Sequence, residues 1–75
     1  MSRLPAVRPG EVVRALQRAG FVVQRTSGSH YVLKRPDEPA PRVTVAYHGR
    51  DLKPKTLRAI IEQAGLTEEE FLALL

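Results

Sequence analysis

The sequence has no cysteine, which excludes disulfides, thiolate nucleophiles and the common zinc sites together and suits a reducing compartment. Its apolar runs are only a few residues long, far short of the roughly 20 needed to span a bilayer. Met1 to Pro9 lack the apolar stretch of a signal peptide. A cytoplasmic, non-membrane protein is therefore expected. Neither a P-loop nor a dinucleotide-type glycine fingerprint occurs. Histidine is scarce as well. His30 and His48 are the two present, and with scattered acids and no thiols they make a poor metal-ligand set. No metal and no other cofactor is expected.

What remains is a basic chain sized for one domain, residues 1–75. A chain this short buries roughly 60% of the surface it would expose unfolded, so its core must be economical. Its net charge of +4 is unevenly spread. Residues 1–35 hold seven Lys/Arg against one acid, Glu11, whereas the remainder holds five against seven. The excess in the first half favours a polyanionic partner there. A solvated basic surface is the plainer alternative, and the acidic run Glu68-Glu69-Glu70 argues against a uniformly coated phosphate binder.

Apolar spacings of three and four in Val12, Val13, Leu16 and Ala19 predict an amphipathic helix over residues 9–19, closed by Gly20. Phe21 to Thr26 is rich in β-branched and aromatic residues and predicts a strand. After the turn Ser27-Gly28-Ser29, His30 to Arg35 predicts a second strand antiparallel to the first. Pro36 to Pro41 reads as a loop, and Arg42 to Tyr47 as a third strand. Lys53-Pro54 opens a second helix whose apolar stripe is Leu57, Ile60, Ile61 and Ala64, ended by Gly65. Thr67 and Glu70 form a capping box before a short terminal helix. The expected fold is α+β, ordered α-β-β-β-α with a three-stranded antiparallel sheet. Both main helices are expected on one face, with the small C-terminal helix added. Double-stranded RNA-binding domains share that architecture, which is a statement about fold and not about function.

Acid–base chemistry points first to the histidines. His30 stands at the mouth of the second strand beside Gly28 and Ser29, read either as a surface histidine at a turn or as a proton-transfer group. Neighbouring strand residues face opposite ways, so Ser29 and His30 are not a nucleophile–base pair. His48 depends on register. If Arg35 lies near Arg42, His30 falls opposite Tyr47; if near Val43, opposite His48, with both imidazoles on one face. RNA carries its own 2′-hydroxyl nucleophile, so one histidine with nearby Arg25, Lys34 or Arg35 is a sufficient cleavage kit without metal. Lys53 and Lys55 flank the second helix and read as phosphate contacts or as plain exposed cations. Tyr31 reads as a base-stacking ring or as packing.

Gly20-Phe21, Gly28-Ser29-His30-Tyr31, Thr44 to His48 and Leu52 to Gly65, in that order, resemble the HicA toxin family over roughly residues 9–66. The resemblance implies a toxin of a toxin–antitoxin pair: a metal-independent, translation-blocking mRNA endoribonuclease with a fold like double-stranded RNA-binding domains. It places the family's catalytic histidine at His30 within the motif Gly28-Ser29-His30, and implies a HicB antitoxin as partner. Family members often carry proline before the second histidine, where this chain reads Val45-Ala46-Tyr47-His48. The competing expectations are a non-catalytic RNA-binding module and a protein-interaction domain for an acidic partner.

Overall fold

The computed structural model describes residues 4–36, 42–47 and 49–75. The loop expected at Pro36 to Pro41 falls mostly outside these residues, as does His48. Six elements follow in order: α1 (Pro9–Arg18), β1 (Val22–Ser27), β2 (His30–Lys34), β3 (Val43–Ala46), α2 (Pro54–Gln63) and α3 (Glu68–Leu74). The strands form one antiparallel sheet in the order β1-β2-β3. The α+β architecture expected from the pattern is the one observed. Among the described residues no helix is long and apolar enough to cross a membrane.

Each helix starts for a local reason. Pro9 sits in the first turn of α1, where its missing N–H costs nothing. The Glu11 carboxylate reaches back to accept the Arg8 backbone N–H at 2.9 Å. Pro54 opens α2 in the same way. The capping box at α3 is present in full. Thr67 Oγ1 accepts the Glu70 N–H at 3.0 Å, and the Glu70 carboxylate accepts the Thr67 N–H at 2.8 Å. These bonds satisfy donors that a helix start leaves unpaired.

One core joins all of these elements. Val12, Val13, Ala15 and Leu16 from α1 pack with Leu33, Val43 and Val45 from the sheet and Leu57, Ile60 and Ile61 from α2. Strand alternation explains the sheet's share. Val23, Leu33 and Val43 are paired across the three strands and point toward the helices, as do Tyr31 and Val45. Their neighbours Val32 and Thr44 point away, onto a face that no described helix covers.

The terminal helix belongs to this core. Phe71 is fully buried (0% exposed) and is the bulkiest of the fully buried side chains. Arg18 Nη1 donates to the Leu74 carbonyl at 2.6 Å, fastening the end of α1 to the end of α3. Arg58 Nε lies 3.3 Å from the Glu68 carboxylate and links α2 to α3. Deleting the ring in Phe71→Ala is expected to cost about 3–5 kcal/mol. A urea titration followed by circular dichroism checks this: the midpoint should fall sharply, and an unmoved midpoint would show that α3 is an appendage.

Candidate active site

His30 is the first residue of β2, and the hairpin before it fixes its direction. Ser27 pairs with His30 across the loop Gly28-Ser29. Gly28 has φ +58°, and no residue other than glycine has positive φ among the described residues. Glycine at the first central position, followed by a residue of negative φ, is the pattern of a type II′ turn, whose twist matches the strands it joins. On the other side, the Tyr47 backbone N–H donates to the Ser29 carbonyl, extending the β2–β3 ladder past the end of β3. His30 is therefore held by backbone pairing from both sides while its side chain is exposed. That side chain projects from the open sheet face, the side shared with Val32 and Lys34.

The register corrects the sequence reading. His30 pairs with Ala46, Tyr31 with Val45, Val32 with Thr44 and Leu33 with Val43. Ala46, and not Tyr47, stands opposite His30, and His48 lies outside the described residues. Both expected registers were offset from this one, by one residue and by two. The pattern of alternating residues fixes which face a residue takes, but shifts of two conserve the face, and the loop from Pro36 to Pro41 is too long to set the register.

The structure brings one of the expected cations to His30. Val23 pairs with Leu33 and Arg25 with Val32, leaving Gln24 as an extra residue in a β-bulge. Strict alternation along β1 would place Arg25 with Val23, toward the helices. The bulge resets the alternation and turns Arg25 onto the open face, diagonal to His30 across the β1–β2 pair. Diagonal strand neighbours lie about 7–8 Å apart at the backbone, within reach of an arginine side chain. Ser27 and Thr44 share that face.

The other candidates are dispersed. Lys34 is on the same face but four residues along β2, about 13 Å from His30 at strand rise. Arg35 lies one residue further and its guanidinium sits 4.8 Å from the centre of the Phe21 ring, a cation–π contact. Lys53 is the N-cap of α2 and Lys55 stands in its first turn. Tyr31 packs toward the helices, its ring centre 4.8 Å from that of Tyr47 and tilted 32°. Tyr47 in turn crowds α1: a Cβ added at Gly10 would lie 2.7 Å from the Tyr47 hydroxyl. Ser29 occupies the second central position of the turn, directly before His30.

One feature at this end of the sheet was not legible in the sequence. A recess of about 790 Å³ opens beside Ala46, between the end of β3 and the start of α2. Arg50, Asp51, Leu52, Lys53 and Thr56 line it together with Ala46. No spacing rule in the sequence signals that Arg50 and Asp51 share a recess with Thr56. No group of three His, Cys, Asp or Glu side chains is placed to hold a metal among the described residues.

The left-handed turn residue gives a direct check on the hairpin. Gly28→Ala should destabilise the protein by roughly 1–3 kcal/mol, the cost of holding an L-residue at the positive φ of this turn. Amide hydrogen exchange should show faster opening at Ser27 and His30. A variant of unchanged stability would rule out the left-handed turn.

A family model described as HicA toxin of bacterial toxin-antitoxin matches residues 10–66. No curated protein matches the chain.

Proposed function

Because the chain belongs to the HicA toxin family, we propose that this toxin of a toxin–antitoxin pair is a metal-independent endoribonuclease acting on mRNA, with His30 as its proton-transfer group. The observation that carries the reading is His30 itself: an exposed imidazole on a rigid, doubly paired strand end, with Arg25 turned onto the same face by a bulge. Gly28 and Ser29 serve by shaping the turn that aims it.

The chemistry needs little from the protein. His30 accepts the proton of a ribose 2′-hydroxyl while that oxygen attacks the adjacent phosphorus. The bond from phosphorus to the 5′ oxygen breaks, leaving a 2′,3′-cyclic phosphate and a free 5′-hydroxyl. Ala46 stands opposite His30, and solvent on the open face protonates the departing oxygen. Arg25 stabilises the negative charge that builds on the phosphorus oxygens. Lys34 contacts a more distant phosphate of the strand, and Lys53 and Lys55 add cations near α2. Cleavage of mRNA in the cytoplasm blocks translation, and the HicB antitoxin that the family implies silences the toxin by covering this face.

A second reading has one observation in its favour. Arg25, turned onto the open sheet face with no described helix over it, serves equally an RNA-binding module that does not cut.

Cleavage separates the two. Wild-type protein should cut single-stranded RNA in the presence of a chelator, and His30→Ala should lose at least about 10²-fold in rate, the lower end of what proton transfer contributes. Its circular dichroism should be unchanged. A His30→Ala protein that cuts at the wild-type rate sinks the assignment, whereas wild-type binding without cutting establishes the second reading. Arg25→Ala should weaken RNA binding and reduce the slope of log affinity against log salt by about 0.7, the value for one phosphate contact on a single strand. An unchanged slope would remove Arg25 from the interface.

A further inference from the structure

We propose that the recess beside Ala46 is a nucleotide subsite, which holds one unpaired RNA base next to the phosphate that His30 addresses. This rests on the reading of His30 as the cleavage residue and says where the neighbouring nucleotide goes. The recess, about 790 Å³, lies within the usual range for small-molecule pockets and leaves ample room for a base and its sugar. Its position relative to His30 follows from the sheet. Ala46 is the direct partner of His30 on β3, so the recess begins one strand spacing, about 5 Å, from the strand that bears the imidazole.

The lining suits a nucleotide better than an apolar peptide. The Ala46 methyl and the half-buried Leu52 give a flat apolar contact for the face of a base. Arg50 and Lys53, both exposed, place two cations on its rim, where the phosphates on either side of that base would pass. Asp51 is the carboxylate of the lining and, being acceptor-only when ionised, can take hydrogen bonds from the N–H groups of a base edge. The Thr56 hydroxyl adds a group that can donate or accept. Asp51 is available for this work. Its contact with Arg8, 3.9 Å between Nε and Oδ1 with both side chains more than half exposed, is a loose surface pair of the kind that contributes little.

The arrangement therefore assigns base selectivity to Asp51 and nucleotide binding to Arg50 and Lys53, apart from the proton transfer at His30. The test uses short single-stranded RNAs with one cut site, each of the four bases being placed in turn at the nucleotides flanking it. Arg50→Ala should raise KM by about tenfold or more, as loss of a charge-assisted contact worth roughly 1.5–3 kcal/mol would do. kcat should stay within about twofold, because such contacts bind the ground and transition states alike. Asp51→Ala should flatten the base preference at one flanking position, a change that a merely structural role would not produce. Wild-type cutting with KM and base preference retained in both variants overturns the subsite and leaves the reading of His30 standing. If wild-type protein cuts none of the RNAs, the His30 reading fails. The recess is then judged alone by fluorescence anisotropy with a 2′-O-methyl oligonucleotide: weaker binding by the Arg50→Ala variant supports it, and equal binding overturns it.

Discussion

β2 is hydrogen-bonded along both edges, and its register with β1 and β3 decides which side chains meet. Because strand residues alternate between faces, a slip by one residue in either pairing would move Leu33 out of line with Val23 and Val43 and unpack the core. The same register that buries Leu33 leaves His30 exposed at the other end of the strand. Core and site are thus two consequences of one ladder. The burial of Val43 and Val45 against α1 and α2 holds that ladder in place, and the turn at Gly28 and the backbone bond from Tyr47 to Ser29 hold its open end.

Much of this was legible in the sequence, and the reasons are local. The 3.6-residue stripes of α1 and α2, the proline at each start and the Thr67–Glu70 box all act within a few residues, so they read directly from the chain. The short turn at Ser27-Gly28-Ser29 told of a hairpin because glycine there meets a backbone requirement. His30 was legible for a similar reason, a titratable residue at a strand mouth within a motif that the family match covers.

What escaped was set by pairing between distant segments. The Gln24 bulge has no composition cue in Val-Val-Gln-Arg-Thr-Ser, yet it decides that Arg25 faces with His30 and not with the core. The β2–β3 register is likewise a tertiary property: the residues that could report it, Val43 and Val45, fit any register shifted by two. Arg35 read as a cation for RNA, but its position over Phe21 depends on the β1–β2 pair bringing those residues together. The recess at Ala46 joins Arg50 and Asp51 to Thr56 of α2 in one lining, which no periodicity encodes. Chemistry-bearing residue types were visible, whereas the company each of them keeps was a matter of fold.

Under the proposed function, an open face that presents His30 and Arg25 is enough of an active site, because RNA supplies its own nucleophile. The most direct test of that account is where uncleavable RNA binds. In a ¹⁵N-labelled protein titrated with a 2′-O-methyl single-stranded oligonucleotide, shifts should concentrate on Arg25, Ser27, His30, Val32, Thr44 and Ala46. Shifts confined to the outer surfaces of α1 and α2, with the His30 face unmoved, would contradict it.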